Sequence, residues 1–414
     1  MRNLVFFSFL FFSIQVTAQP IWNNYTRFYP EASTLRHKNH IQLQGDVSLN
    51  STAITNTFFR SFITNKYITN ALKDEVSARL KNKNRYGYML NASLLVNFHK
   101  DSLTSYMVGS AEKQHNAAVF SKDDFGLFFR GNKMFAGKDA SLSPLHFTSF
   151  SYQSIFVGIN KTSKSKKLNY WVGISAIRGG SFKTATVENG SFYTEPDGAF
   201  IEAKGDFNIN LSNGKYDAPP RSSGIGASLF FGADYRMGKS TFGFSVSDLG
   251  FIHWKNIKHY SKDSMLQFEG KDIGNLLTFD DSLFTSYNAD SLGKDANINI
   301  TTKKIYYFLP TLLKLNYVHY CSDKFFFITE LEIMTQAGFF PRLFIQPVYR
   351  VKENLFIHTT LSAGGYGKTD IGFGLAGKIA KGFDFNLNIF AAELLVAPSK
   401  TSGQRLSMAL VKSF

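Results

Sequence analysis

A single cysteine, Cys321, in 414 residues excludes an intramolecular disulfide framework and any cysteine-based metal site. After the first eighteen residues, no apolar run approaches the length of a transmembrane helix. No proline-rich or low-complexity stretch separates domains, and no short repeat of fixed period supports a β-helix or propeller. A Gly-x-Ser-x-Gly elbow is absent. Gly364-Gly365-Tyr366-Gly367 has no strand–loop–helix setting, so it reads as a turn and not as a phosphate loop. His253 and His259 flank Trp254, and His37 and His40 are three apart, but neither pair supplies a closed ligand set. No metal, cofactor or catalytic residue is expected. Acidic residues are in deficit, with 31 against 46 Lys and Arg, a formal charge of +15.

What is present begins with an export pattern. Arg2 precedes an apolar run from Leu4 to Ile14, and Val16-Thr17-Ala18 is a small-residue cleavage site, so residues 1–18 read as a secretory signal peptide. No cysteine lies there, which excludes a lipoprotein. Export makes nucleic acid a poor partner for the basic balance; anionic lipid head groups or anionic solutes fit better. Aromatic content is 16%, with 43 Phe and 19 Tyr. A soluble core does not need that many rings, whereas a membrane barrel uses them on its lipid face and in two girdles.

Strand periodicity dominates the rest. Residues 19–40 have no clean period and are expected to form an N-terminal, plug-like segment. From Ile41 alternation sets in: Leu43, Gly45, Val47 and Leu49 against Gln44, Asp46 and Ser48. Tyr86 to Phe98 carries one wholly apolar face, and Thr104–Ala111 is its expected partner. Ile225, Ala227, Leu229, Phe231, Ala233 and Tyr235 oppose Gly226, Ser228, Phe230, Gly232 and Asp234, which suit a crowded barrel interior. Two interruptions are read as helical. Ile68, Leu72, Val76 and Leu80 recur every four residues within 66–83, which predicts one amphipathic helix capping a barrel mouth or lying at the membrane surface. Residues 114–132 read as a second short helical region. Residues 255–299 read as strands carrying a long surface loop. From Lys303 a meander runs to the C-terminus. The expected fold is all-β: a transmembrane antiparallel β-barrel of about fourteen strands over residues 41–414.

Several pieces carry a resemblance. They are Asp123-Asp124-Phe125-Gly126-Leu127-Phe128-Phe129-Arg130-Gly131-Asn132 followed by Gly137-Lys138, Phe156-Val157-Gly158-Ile159, Val172-Gly173-Ile174, Ser247-Asp248-Leu249-Gly250-Phe251-Ile252-His253-Trp254, and Phe268-Glu269-Gly270. Together they resemble a large uncharacterised family of Bacteroidota outer-membrane barrels. That family is distantly similar to FadL-type fatty-acid transporters and to the barrel subunits of type IX secretion. The resemblance implies an outer-membrane barrel with an N-terminal plug. By analogy it implies passage of hydrophobic or amphipathic small molecules. A non-transporting barrel that docks secreted or surface proteins is the alternative, and a lipid-modifying barrel enzyme a third.

Glu330 and Glu332 share a parity opposite Phe325, Phe327, Leu331 and Ile333; Arg342, Gln346 and Arg350 share one on the next strand. With the apolar sets facing lipid, Glu330, Glu332, Arg342 and Arg350 face the lumen, where they form a salt-bridge network or meet a polar head group. The expected partners are outer-membrane lipids, a hydrophobic ligand and the barrel-assembly machinery. The last follows from Leu406, Met408, Leu410 and Phe414, which share one face of a closing strand ending on an aromatic. Lys412 departs from that pattern and can snorkel to head groups. Deleting Phe414 is expected to reduce the heat-modifiable, inserted form in the outer membrane; unchanged insertion shows that the terminal ring is dispensable.

Overall fold

The computed structural model describes residues 39–64, 66–212, 224–263, 266–269, 299–390 and 401–414. The expected signal peptide and nearly all of the expected plug, residues 19–40, lie outside the described residues, as does 270–298 of the expected loop.

Alternating sequence becomes a closed wall. The chain forms β1 (His40–Ser51), β2 (Asn84–Asp101), β3 (Thr104–Phe120), β4 (Asp139–Ser141), β5 (Leu145–Thr162) and β6 (Leu168–Thr194). Then follow β7 (Phe200–Ser212), β8 (Gly224–Met237), β9 (Ser240–Asp263), β10 (Leu266–Glu269), β11 (Asn299–Phe308) and β12 (Leu312–Tyr320). The meander β13 (Phe325–Met334), β14 (Phe340–Lys352), β15 (Leu355–Gly365), β16 (Thr369–Ala380), β17 (Phe383–Phe390) and β18 (Gly403–Ser413) completes it. β1 pairs with β2 on one edge and β18 on the other, His40 opposite Ser413 and Asn50 opposite Gly403. Some strands are consecutive parts of one stave. β7 and β8 share an edge of β6, and β11 and β12 share an edge of β9. The wall is therefore a closed antiparallel barrel of fourteen staves, as the alternation predicts.

Short turns gather at the end holding His40 and Ser413, and long connections at the other. On the outward face, Ile155, Val157, Val172, Ile174, Leu361 and Phe373 are exposed side by side around the wall. A contiguous apolar belt of this extent would be untenable in water and is the lipid face of a membrane barrel. Met408, Leu410 and Phe414 belong to it, and the Lys412 ammonium lies 4.0 Å from the Phe383 ring centre. Inward positions make room for bulky neighbours: a Cβ on Gly173 would collide with Phe230, and one on Gly87 with Tyr366.

The helical expectations need correction. The helix expected over 66–83 is present but shorter, α2 (Asn70–Ser77), and a helix that was not expected, α1 (Asn56–Ile63), precedes it. Thr69 starts α2 as its N-cap, its side chain accepting from the Leu72 N–H, and Thr55 caps α1 in the same way from the Phe58 N–H. The region 114–132 is helical only over α3 (Lys122–Arg130), followed by a single 3-10 turn, Asn132–Phe135. Gln114–Phe120 instead extends β3, because His115, Ala117 and Val119 alternate inward and the backbone pairs with both β2 and β5. Within 255–299, read as strands carrying a loop, residues 255–263 form the end of β9. Residues 168–194 form one long strand, β6, while 303–320 is split at Leu309–Thr311.

The helices do not cap the mouth. They pack on the outside of the wall at the long-loop end. Phe58, Phe59, Val76 and Phe125 cover the outward Leu49, Tyr86, Tyr88, Ala118 and Phe120. Phe59 stacks on Tyr86 at 5.0 Å and Phe58 meets Phe129 edge-on at 4.8 Å. α3 starts with a reciprocal Ser121–Asp124 capping box. Burial pushes the Asp124 carboxyl up to about 6, against the hydrogen bonds from Ser121 that favour its charged form.

Ile345 lies outward near the middle of β14. Ile345→Arg is expected to cost about 2–4 kcal/mol in urea-dependent folding into vesicles. A cost near zero would mean that this face does not meet hydrocarbon.

Candidate functional site

The interior is layered. Nearest the short turns, Val318, Phe326, Ile328, Val348, Phe356, Ala376 and Val411 form one apolar cluster. Leu95, Met107, Phe156, Trp171 and Phe230 fill the opposite side of the lumen. Toward the long loops an aromatic group takes over, with Phe150, Phe182 and Trp254 among its buried members and Tyr307 packed against them. Between these apolar layers lies a charged one.

Its first part follows directly from strand register. Lys314, Glu332 and Arg342 stand directly opposite one another on β12, β13 and β14. The Lys314 ammonium lies 2.6 Å from Glu332 and 3.1 Å from Glu330. Arg342 donates to Glu332 Oε2 through Nε at 3.0 Å and Nη2 at 2.6 Å. Only 3% of the Glu332 side chain is exposed, so this carboxylate depends on its cations for solvation. Arg405 pairs with Asp46 at 2.9 Å across the β1–β18 seam.

The second part spans the lumen. Lys113 on β3 forms an ion pair with Asp248 on β9, although β5, β6 and β8 intervene in the wall. The Tyr152 hydroxyl donates to the same carboxylate at 2.8 Å. Asp248 can reach inward because β9 is irregular there: its φ is +57°, and the pairing with β8 slips between Leu229 and Phe231. The slip abuts the split between β11 and β12. Leu309 N–H donates to the Gly250 carbonyl at 2.9 Å, and the Thr311 hydroxyl to the Asp248 carbonyl at 3.3 Å.

These groups line a partly open cavity of about 150 Å³. Lys113, Lys314, Arg342 and Arg405 face it with Asp46, Asp248 and Glu332; Met89, Trp171, Phe230 and Phe339 supply apolar wall. Four cations and three carboxylates line it, and Glu330, 3.1 Å from the Lys314 ammonium just behind, brings the layer to formal charge balance. The arrangement can hold a small molecule with an apolar body and a polar or anionic group.

The structure brings Glu330, Glu332 and Arg342 together in the lumen. Arg350 stands apart, its guanidinium 5.2 Å from the Phe356 ring near the short-turn end. Sequence reasoning missed Lys113, Lys314, Arg405, Asp46, Asp248 and Tyr152. Lys314 and Arg405 were findable, since each shares a parity with small polar neighbours, Asn316 and Ser407, and opposes an apolar face. Asp248 was not, because the slip in β9 breaks the count. His319 accepts or donates at Nδ1 with the Ser240 hydroxyl at 3.0 Å and the Tyr317 hydroxyl at 3.3 Å. No carboxylate orients its ring among the described residues, so the third member of a triad is missing. No group of three or more His, Cys, Asp or Glu is placed to hold a metal ion among the described residues.

Fold and interior together define a membrane-type barrel with an occupied, charged lumen. The chain belongs to the family of unknown function DUF5723, whose pattern spans residues 32–387. No curated protein matches it. Solved structures to which it is similar include a deletion mutant of the TodX monoaromatic hydrocarbon channel, at 11% identity, 92% of each chain covered and a TM-score of 0.49. The Pseudomonas putida toluene transporter TodX is similar at 10% identity, with 92% of each chain covered and a TM-score of 0.47. A Pseudomonas aeruginosa FadL homologue is similar at 9% identity, with 93% of this chain and 92% of that chain covered and a TM-score of 0.45. Likeness this distant assigns no activity to this chain.

Glu332→Gln leaves Lys314 and Arg342 without their shared counter-charge and is expected to destabilise the barrel by about 3–5 kcal/mol. Arg350→Gln removes only a ring contact and is expected to cost about 0.5–1 kcal/mol. Urea-dependent folding into lipid vesicles compares the two; equal costs would show that the charged layer contributes nothing special.

Proposed function

We propose that this barrel resides in the outer membrane and passes small hydrophobic or amphipathic molecules, with the charged-layer cavity as its binding station. The cavity is the observation that carries the reading. Its volume of about 150 Å³ lies within the lumen and combines aromatic walls with fixed charge. An apolar cavity of about this size holds a benzene-sized molecule. Binding would draw on burial of the ligand's apolar surface, with Lys113, Lys314 or Arg405 meeting its polar end. Larger ligands would have to displace ion pairs.

A second reading is favoured by one observation. Apolar clusters and ion pairs occupy the lumen on both sides of that small cavity, as suits a barrel that docks other proteins and conducts nothing.

The two readings separate on ligand binding. Trp171 lines the cavity, so 4-bromophenol is expected to quench its emission saturably in reconstituted barrels, and Trp171→Phe to abolish the saturable part. Cells producing the chain are expected to admit the same compound faster than cells lacking it. Linear, non-saturable quenching together with unchanged entry would sink the transport reading and leave the docking one.

A further inference from the structure

We propose that α1 and α2, with Lys66–Thr69 between them, form an outer-surface anchor that lies on a lipid leaflet bearing anionic head groups. The inference rests on the membrane-spanning fold and is independent of whether anything passes through the lumen.

The outward face of β3 shows where this layer sits. Ascending from the short-turn end, Tyr106 and Val108 are exposed and apolar. Ser110, Glu112, Gln114 and Asn116 then replace them, and Gln153 stands opposite Glu112 on β5. Beyond them the face turns apolar again at Ala118 and Phe120, now covered by the helices. On β3 the face thus passes from hydrocarbon-compatible to polar to helix-covered, whereas β1 and β2 beside it stay apolar up to the helices, so the helical layer adjoins the lipid face directly.

That layer is itself incompletely buried. Its inner side carries Phe58, Phe59 and Val76, buried against the wall. The end of α1 and the residues after it expose Phe62 at 49%, Ile63 at 68% and Tyr67 at 82%. Three large apolar side chains within six positions gain nothing from water. Phe62 meets Phe129 edge-on at 6.2 Å and so adjoins the aromatic group that covers the wall.

Charge selects the kind of lipid. Between Thr52 and Lys83 there are six Lys or Arg and two acids. Both acids are engaged within the helical layer: Asp74 by Arg130 at 2.6 Å and Glu75 by Arg79 at 3.5 Å. Arg60 and Lys66 are exposed beside the apolar trio in sequence, and Lys81 and Lys83 are exposed where the chain leaves α2 for β2. Exposed rings flanked by unbalanced cations are the make-up of an interfacial anchor, held by burial of apolar surface and by attraction to anionic head groups.

Nitroxide labels at Ile63→Cys and Tyr67→Cys, each in a Cys321→Ser background, test this on the full chain. Both positions are exposed, and Cys321 lies in a short turn, so the barrel itself is spared. Heat-modifiable mobility confirms folding of each variant. In phosphatidylcholine vesicles containing phosphatidylglycerol, the oxygen-to-nickel-chelate accessibility ratio at both sites is expected to exceed the aqueous value several-fold. Combining Lys66→Glu, Lys81→Glu and Lys83→Glu is expected to return it toward the aqueous value. Water-like ratios at both sites would overturn the proposal, as would ratios indifferent to phosphatidylglycerol and to charge reversal.

Discussion

Closure of the hydrogen-bond ladder is the constraint on which everything else here depends. In hydrocarbon each unsatisfied backbone group costs several kcal/mol, so a sheet can cross only without edges. β1 meets that demand by pairing along nearly its whole length with both β2 and β18. Once closed, the wall has two faces with opposite requirements. One must satisfy lipid, and the other must fill a narrow interior shared by fourteen staves. The period-two alternation is the sequence's answer to both.

The charged layer follows from the same closure. An ionic side chain on this wall can only turn inward, and once inside, poorly hydrated, it must find a counter-charge. Register supplies one: Lys314, Glu332 and Arg342 are direct cross-strand neighbours. A slip of one residue in β13 would turn Glu330 and Glu332 toward lipid and strand Lys314 and Arg342 in the lumen. The ion pairs therefore contribute to uniqueness of pairing as well as to stability. Arg405–Asp46 does the same at the seam, where no covalent hairpin fixes the register.

What could be read beforehand was whatever depends on alternation alone. The all-β class, the stave number, the closing strand and the lumenal placement of Glu330, Glu332 and Arg342 need only parity. Departures from alternation were illegible. His115, Ala117 and Val119 lie in a stretch whose flanking Asp123, Asp124 and Gly131 suggest a helix, and only pairing with β2 and β5 makes it strand. The apolar positions of 66–83 suggest a longer helix, yet Thr69 caps one that begins only at Asn70, a start set by local hydrogen bonding. Lys113 and Asp248 meet across the lumen from strands with three staves between them, and no one-dimensional pattern encodes that distance.

The weakest part of the wall and the cavity coincide. β11 gives way to β12 at Leu309–Thr311, and β9 carries its irregularity at Asp248 directly alongside. Pro310 and Asp248 both line the cavity. Pro310 has no N–H to give to a ladder, so the interruption there costs less than it would at any other residue. Asp248 is in turn held from inside by Lys113 and Tyr152. The same carboxylate thus belongs to the lumenal ion-pair layer and, through its own backbone carbonyl, to the edge of the split. A strain on the Asp248 carboxylate therefore lies within one residue of the wall's split, because the backbone carbonyl of Asp248 is held by Thr311 and that of nearby Gly250 by Leu309.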